Sequence, residues 1–331
     1  MPSSRVGRRT VVAALTSALA SVAIPGRAAR GEERFPARPV KILVTLSAGS
    51  QVDILARLVG RHLADAFGQQ FIVEDRPGAG GTMATSLVAR ANPDGYTLLM
   101  AANGHAINPS LYPDLPYDTA KDFAGISLVA RVPSVLVVPS SLEIRSVAEL
   151  IALAKARPGQ LNFASPGIGS AGHLAAEQLK TAAHIDIVHV PYKGTPEALA
   201  DTIANRTQMF FAPLGAALPL LSGGHLTALA VTSASRSPIA PAIPTLAESG
   251  VPGYRFDFWY GLLGPHGTPA TIIDRLGAEI GRMLDTPAVA GELAAQGATP
   301  LPMAGGQFDE FIAEEMKKYR ELVAVSGAKA R

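Results

Sequence analysis

The feature that most constrains this chain is the alternation of strand-like and helix-like segments along it. Val40 to Leu46 is a short apolar run with β-branched residues, and apolar residues then recur at helical spacing from Asp53 to the stop at Gly68. Phe71 to Val73 and Thr97 to Met100 predict two further strands, with a helix over roughly 82–91 between them. Such βα units predict a parallel sheet covered by helices on both faces.

Helix starts in the middle of the chain are marked by capping residues. Ser146 and Glu149 have the spacing of a capping box. Thr195 before Pro196 predicts a threonine N-cap ahead of a proline at the first helical position. The strands predicted in this part of the chain are 161–164, 187–190, 209–212 and 227–232.

Two extended stretches interrupt the alternation and predict a division into two lobes. Gly125 to Val138 runs through Pro133, and the aromatic-rich stretch from Tyr254 to Gly264 is the second. Two crossings imply a middle lobe inserted into a lobe made from both ends of the chain. We therefore expect an α/β protein in which two doubly wound sheets are joined by a two-strand hinge. The predicted boundaries are 29–132 and 256–331 for lobe 1 and 133–255 for lobe 2.

The first 28 residues have the pattern of a removable export signal. Arg5, Arg8 and Arg9 precede a short apolar run from Val11 to Ile24. The small residues Gly26 and Ala28 then suit cleavage by a signal peptidase. A disordered basic tail is the alternative interpretation, and the paired arginines leave the twin-arginine export route open beside the general one. We expect the mature protein to reside in the periplasm.

Removing that segment changes what the charge implies, because it holds four arginines and no acids. The formal net charge of the 331-residue chain then falls from +2 to −2, which gives no reason to expect a nucleic-acid or lipid partner. The sequence has no cysteine, which excludes disulfides, thiolate metal sites and a lipidated N-terminal cysteine. No apolar stretch after the leader is long enough to span a bilayer, so we expect no stable membrane insertion.

Three glycine-rich turns follow predicted strands, at residues 47–53, 76–81 and 165–173. Small residues at a strand-to-helix turn let backbone N–H groups approach an anion, and the helix N-terminus adds a partial positive charge. Tight turns alone also explain glycines at such places. One such turn before the main helix of each lobe favours an anion-binding cleft between the lobes.

The third turn also contains the glycine pattern of dinucleotide-binding proteins, at Gly167, Gly169 and Gly172. That site needs an acid at the end of the next strand, whereas Asp186 lies at its start. The sequence contains no serine-hydrolase elbow, zinc-protease motif or phosphate loop, and its histidines are scattered. We expect no catalysis, no cofactor and no metal site. The alternative is a two-lobed, transferase-like enzyme that acts on a small acid in the cleft.

Several short motifs occur in a fixed order along the chain. They are Glu74 to Gly81, Pro93 to Leu99, His105 to Tyr112, Leu115 to Asp118, Lys121 to Phe123, Val188 to Gly194 and Leu229 to Ser233. At these motifs the chain resembles the tripartite tricarboxylate transporter receptor family, also called the Bug family, from Phe35 to the C-terminal helix. The resemblance implies a class II periplasmic-binding-protein fold, no catalysis, and a carboxylate held mainly by backbone amides of two opposed loops. It also implies two integral-membrane transporter subunits, or a sensor kinase, as partners of a monomer.

The two loops of the resemblance map onto residues 46–53 (the first loop) and 165–173 (the second loop). The second loop matches the family pattern closely. The first keeps Gly49 and Asp53 but lacks the family's aromatic residue, proline and second glycine. The predicted ligand-binding residues are Ala48, Gly49, Ser50 and Asp53 in the first loop, Ser165, Gly167, Gly169, Ser170 and His173 in the second, and Asn103, His105, Ala212 and Trp259 elsewhere.

A second departure from the family concerns the kind of ligand. Many relatives carry an Asp-Asn pair where this chain has Ala212-Pro213, and an ammonium group inside a closed cleft needs an acidic or carbonyl partner. Leu46 and the aromatic pair Phe258-Trp259 add apolar surface. We expect a carboxylate with an apolar or aromatic body, or a dicarboxylate, and not an amino acid. Asp53 is either an ammonium partner or a helix-start residue that binds backbone N–H groups.

Overall fold

The computed structural model describes residues 35–329, and the predicted export signal lies outside this part of the chain. The described residues form eleven strands and ten α-helices. The strands are β1 Val40–Val44, β2 Phe71–Asp75, β3 Thr97–Ala102, β4 Phe123–Val132, β5 Ser134–Pro139, β6 Asn162–Ser165, β7 Val188–Pro191, β8 Met209–Pro213, β9 Leu226–Val231, β10 Phe258–Pro265 and β11 Thr299–Ala304. The helices are α1 Gln51–Phe67, α2 Thr82–Ala89, α3 Gly104–Leu111, α4 Val147–Ala156, α5 Ala171–Ala183, α6 Thr195–Ile203, α7 Leu214–Ser222, α8 Ala270–Leu284, α9 Pro287–Ala295 and α10 Gly305–Ser326.

A six-stranded sheet has the order β11-β4-β10-β3-β1-β2. Strands β1, β2 and β3 pair in parallel, as their intervening helices predict. Strand β10 runs antiparallel to both β3 and β4, and β11 runs antiparallel to β4. The prediction of a parallel sheet is therefore wrong for this half of the sheet. The physical reason is that the chain returns from the other sheet through β10, which therefore enters this sheet in the direction opposite to β3 and β4.

A five-stranded sheet has the order β7-β6-β8-β5-β9, in which β5 runs antiparallel to both of its neighbours. Alternate side chains along its central strands enter different cores. Val135 and Phe210 belong to one buried cluster, whereas Leu136 and Phe211 belong to the larger one. Because side chains of a strand alternate between faces, both faces of this sheet are buried, as a doubly wound sheet requires.

Two crossings join the sheets. Strand β4 continues through Pro133 into β5, and the chain returns from β9 to β10. Thr232 lies beside the first crossing, where its amide donates to the Ser134 carbonyl at 2.9 Å. The Phe256 amide donates to the Thr232 carbonyl at 3.0 Å, which holds the second crossing beside the first. The fold is thus two α/β lobes joined by a pair of neighbouring strands, as expected.

Two helix starts differ from the predictions. Helix α1 begins at Gln51 behind an extended Ser50, two residues before the predicted start at Asp53. Helix α6 has Gly194 as its N-cap, and the predicted cap Thr195 is its first helical residue. By contrast, Ser146 caps α4 as predicted, since its Oγ accepts from the Glu149 amide at 3.1 Å. No helix in the described range is long and apolar enough to cross a membrane.

Candidate ligand-binding cleft

A cavity of about 40 Å³ lies between the two sheets, where helices α1, α3 and α5 begin. Its lining residues are Thr45, Leu46, Gln51, Val52, Gly80, Ala102, Asn103, Gly104, Pro166, Ser170, Ala171, Gly172, Thr195, Pro213, Phe258 and Tyr260. None of these side chains carries a formal charge. A wider mouth of about 480 Å³ adjoins the cavity and shares Leu46, Gly80 and Pro166 with it. Charge on a ligand in the cavity would therefore be met by neutral donors and helix ends.

Main-chain amides from both lobes meet at this cavity. The first turn of an α-helix leaves N–H groups without an intrahelical acceptor. Gln51 and Val52 begin α1, Ala171 and Gly172 begin α5, and all four line the cavity. Their amides have no hydrogen-bond partner among the described residues. Two helix N-termini thus bring free donors and partial positive charge to one space, which is the arrangement that binds an anion.

The first loop is held by a carboxylate that turns back on it. The Gly49 amide donates to Oδ2 of Asp53 at 2.8 Å, and Nε of Arg57 lies 2.7 Å from Oδ1. Asp53 is buried and does not line the cavity. The structure therefore favours the interpretation of Asp53 as a helix-start residue over that of an ammonium partner. Ala48 lies on the exposed side of the same loop.

The first loop is also bonded directly to the other lobe. Oγ of Ser50 accepts a hydrogen bond from the Thr195 amide at 3.2 Å and makes no cap bond within its own helix. The Ser47 amide donates to the Lys193 carbonyl at 3.2 Å. A side chain at Gly194 would overlap both serine hydroxyls. The start of α6 is thus capped by a residue of the opposite lobe, which explains why a glycine occupies the N-cap position.

The second loop satisfies its own polar groups. The Gly167 amide donates to Ser165 Oγ at 3.1 Å, and the Gly169 amide donates to Nδ1 of His173 at 3.2 Å. Oγ of Ser170 accepts from the His173 amide at 3.3 Å and so caps α5. The glycine amides predicted to hold the ligand are therefore already bonded within the loop. The free donors are those of the two residues that follow the serine.

A stack of buried aromatic rings supports the second loop from behind. The rings of His173 and His189 lie 4.1 Å apart, and His189 stacks on Phe163 at 4.7 Å. Burial and the nearby Lys180 lower the pKa of His173 to about 4. Burial, His173 and Lys180 lower the pKa of His189 to about 2. Both rings are therefore neutral near pH 7, which leaves Nδ1 of His173 able to accept from the loop.

The other two polar residues predicted for the site are used elsewhere. Asn103 lines the cavity, but its amide group donates to the Asp257 carbonyl at 3.0 Å and accepts from the Trp259 amide at 3.0 Å. It therefore positions the second crossing strand. His105 is buried against Phe123, outside the cavity lining, and burial lowers its pKa to about 3.

The apolar wall of the cavity is formed by neighbours of the predicted residues. Strand alternation puts Phe258 and Tyr260 at the cavity and turns Trp259 to the opposite face, where its Nε1 donates to Glu315 at 3.1 Å. Ala212 is buried in the core of the five-stranded lobe, and Pro213 after it lines the cavity. Of the predicted site residues, Asn103 and Ser170 line the cavity and Gly167 lines its mouth.

The free amides could have been located from the sequence by one signal. Ser50 and Ser170 each precede a helical pattern, and the two residues after an N-cap have no intrahelical acceptor. The donors in the cavity follow from that rule, whereas the glycines mark only the turns. Among residues 35–329, no cluster of three or more histidine and acidic side chains is arranged to hold a metal ion.

Two α/β lobes joined by paired crossing strands, with donors from both lobes at one enclosed cavity, define a solute-binding protein of the periplasmic type. Comparison with known protein families identifies which family of solute-binding proteins this is. Residues 55–327 match the sequence model of the tripartite tricarboxylate transporter family receptor, and the chain belongs to this family. The resemblance found in the sequence is thereby confirmed.

Individual relatives agree with this assignment over almost their full length. Protein BugT of Bordetella pertussis is 37% identical over 328 residues, which are 98% of this chain and 99% of BugT. The structure of Rpa4515 from R. palustris with adipate has a TM-score of 0.85 at 36% identity and covers 89% of this chain and 99% of its own. MatC from Rhodopseudomonas palustris with bound malate has a TM-score of 0.82 at 30% identity and covers 87% of this chain and 100% of its own.

Proposed function

We propose that this receptor closes its two lobes on one small carboxylate without converting it. The observation that carries the proposal is the set of free amides at the starts of α1 and α5, which meet at one uncharged cavity. A carboxylate there accepts hydrogen bonds from both lobes at once, so its binding stabilises the closed form. The adipate and malate bound to two of the related proteins support this class of ligand.

The cavity walls support a ligand without an ammonium group. Among residues 35–329, no acidic side chain lines the cavity itself. Glu197 lines its mouth and accepts from Ser47 Oγ at 2.9 Å, and the nearby Asp53 carboxylate already binds the Gly49 amide and Arg57. An unpaired ammonium group would be costly to bury there. Leu46 and Phe258 supply apolar surface for a carbon chain or ring. We therefore propose a dicarboxylate, or a carboxylate with an aliphatic or aromatic body, and not an amino acid.

The same lining supports a receptor without catalysis. A two-lobed enzyme would need an acid, base or nucleophile aimed at the ligand. The described side chains of the cavity offer neutral amides and hydroxyls, such as those of Gln51, Thr195 and Ser170, and no histidine, lysine or carboxylate. The neutral pair His173 and His189 lies behind the second loop and binds the loop itself.

Membership of the family supports a proposal for the location and the partners of this chain. We propose that residues 1–28 are a signal peptide cleaved near Ala28, that the mature chain works as a periplasmic monomer, and that 29–132 with 256–331 and 133–255 are the moving lobes. Its partners would be two integral-membrane subunits of a tripartite carrier or, in the alternative, a sensor kinase. Co-purification of tagged receptor with those membrane subunits, dependent on added ligand, tests the first choice.

Calorimetry and mass spectrometry test the central proposal. Native mass spectrometry of the purified protein identifies any co-purified acid, and titration with aliphatic and aromatic mono- and dicarboxylates should give one site per chain. The recovered ligand should be chemically unchanged. Conversion of the acid to a product during the titration would contradict the receptor function. Stabilisation by aspartate or glutamate alone in a thermal-shift screen would contradict the proposed kind of ligand.

A further inference from the structure

Among the described residues, the well-buried hydroxyls of Tyr117 and Tyr260 have no hydrogen-bond partner, and of these two only that of Tyr260 belongs to a residue that lines the cavity. The hydroxyl of Tyr254 donates to the Ala175 carbonyl at 2.6 Å, and that of Tyr319 accepts from Asn103 at 2.7 Å. Tyr260 is 4% exposed, and its hydroxyl has no hydrogen-bond partner among the described residues. A hydroxyl that opens onto a cavity and has no partner within the protein binds water there, and a ligand that displaces this water has to replace its hydrogen bond.

The position of Tyr260 shows where that partner would lie. Tyr260 is on the second crossing strand, opposite Ala102 of β3, and both residues line the cavity. Phe258, two residues earlier on the same face of the strand, contributes only carbon atoms. The tyrosine oxygen is not completely enclosed by protein atoms, so it reaches open space. The hydroxyl is therefore available to a molecule in the cavity.

The chemistry of this hydroxyl limits what it can bind. Burial raises the pKa of Tyr260, so the phenol stays protonated and able to donate. Among the described residues, no charged side chain lines the cavity beside it, and both N–H groups of nearby Asn103 are already bonded, to the Asp257 carbonyl and the Tyr319 hydroxyl. A phenol donor among apolar walls favours an oxygen acceptor over a methyl group, because the methyl group would leave the hydroxyl unpaired.

We propose that Tyr260 is a specificity-determining residue that donates a hydrogen bond to a second oxygen-bearing group of the ligand, distinct from the carboxylate held by the helix amides. This inference rests on the proposed function and deepens it. It assigns the ligand to acids that carry a further carboxylate, hydroxyl or carbonyl, and it disfavours simple fatty and aromatic monocarboxylates. Selection of this kind comes from a donor that would be left unpaired by the wrong ligand.

The test compares acids that differ only at one end. Wild-type protein and Tyr260→Phe are titrated by calorimetry with straight-chain monocarboxylates and the dicarboxylates of equal length, from three to six carbons. Wild type should prefer the dicarboxylate at the best length. Tyr260→Phe should lose roughly 10- to 100-fold in affinity for that dicarboxylate and less than about twofold for the monocarboxylate, since a hydrogen bond to a charged acceptor has this range.

Tyr254→Phe is the matched control, because it also removes one buried phenol oxygen but outside the cavity. It should lower the melting temperature and leave the ratio of the two affinities unchanged. Tyr260→Phe should keep the melting temperature of the ligand-free protein, because the hydroxyl makes no hydrogen bond within the protein. An equal loss for both kinds of acid in Tyr260→Phe, or a wild type that binds both equally, would overturn the inference. Failure of every acid to bind wild type would instead overturn the proposed function.

Discussion

The two loops at the cavity share one backbone plan. In each loop a glycine with positive φ, 77° at Gly49 and 80° at Gly169, precedes a serine N-cap. In each, the side chain three residues after the serine accepts a hydrogen bond from that glycine amide. Asp53 does this in the first loop and His173 in the second. An acid and a neutral imidazole thus produce the same turn, because the turn needs only an acceptor at that position.

The loops differ in the partner of the serine hydroxyl. Ser170 caps its own helix, whereas Ser50 caps α6 of the opposite lobe. The second loop is therefore complete within its own lobe, and the first is complete only when the lobes are closed. This difference indicates that the serine of the second loop stabilises its own lobe, whereas the serine of the first loop joins the two lobes. The chain departs from its family in the first loop, where this serine stands at the place of the family's second glycine.

The largest expected effect comes from adding a methyl group to each loop glycine. Gly169→Ala should weaken ligand binding by at least about 100-fold, because the new methyl would overlap the Asn108 side-chain oxygen of the opposite lobe. Asn108 cannot move freely, since its amide donates to the Gly80 carbonyl at 3.0 Å. Gly49→Ala has the same unfavourable φ but meets only Pro196 at 3.4 Å, so binding should weaken about tenfold or less. Calorimetry measures both.

Circular dichroism provides the control for this pair. Both variants should retain the wild-type spectrum and lose a few degrees of melting temperature through backbone strain. Equal affinities in the two variants would show that the loops do not differ in their contact with the opposite lobe.

A smaller effect separates the two serines. Ser50→Ala should weaken ligand binding roughly fivefold, because one interlobe hydrogen bond contributes about 1 kcal/mol, and should change the melting temperature of the ligand-free protein little. Ser170→Ala should lower that melting temperature by about 2–4 °C through loss of a helix cap. Small-angle scattering should show a more open ligand-free Ser50→Ala. The reverse order of melting temperatures would contradict the assignment of the two serines.

The smallest expected effect is the acid sensitivity that His173 of the second loop adds to that of the other buried histidines, His105 and His189. The folded-state pKa of His173, about 4, lies below the value of about 6.5 for an unfolded chain, so the unfolded state binds more protons between these values. Its contribution to stability is complete above about pH 6.5 and falls as the pH is lowered toward 4. At pH 5 the loss is about 2 kcal/mol. Denaturant unfolding at pH 7 and pH 5 measures it.

His173→Gln keeps an acceptor near the Gly169 amide but does not titrate, so its unfolding free energy should fall less between pH 7 and pH 5. His184→Gln, at the exposed C-terminal end of α5, is the matched control and should behave as wild type. A pH dependence unchanged in His173→Gln would show that other groups cause the acid sensitivity.

Local sequence patterns were sufficient to predict that the chain forms two α/β lobes joined by a two-strand hinge. The apolar run of β1, the helix predicted from Asp53 and the extended stretch through Pro133 all appear in the structure near their predicted places. Each depends on neighbours within a few residues, such as a cap, a period or a proline. Resemblance to the family then located both loops.

The contacts of single residues could not be predicted in this way. Phe258 to Leu263 is apolar almost throughout, so no alternation in the sequence tells that Tyr260 faces the cavity and Trp259 does not. Which of these residues faces the cavity is fixed by the pairing of β10 with β3 and β4. Thr195 is a good N-cap by local rules, yet Gly194 takes that place because a serine hydroxyl 145 residues earlier occupies the space. Both outcomes depend on long-range packing.

The proposed recognition by main-chain donors has a consequence for how this receptor can diverge. The amides of Val52 and Gly172 are present whatever side chain stands at those positions, provided that the loop keeps its turn. Substitutions in the wall, at Leu46 or Tyr260, can therefore alter which acid fits while capture of the carboxylate persists. Mutations can therefore change ligand preference without changing anion binding. A gene duplicate could acquire a new ligand by substituting a few residues of the cavity wall, without passing through an inactive intermediate.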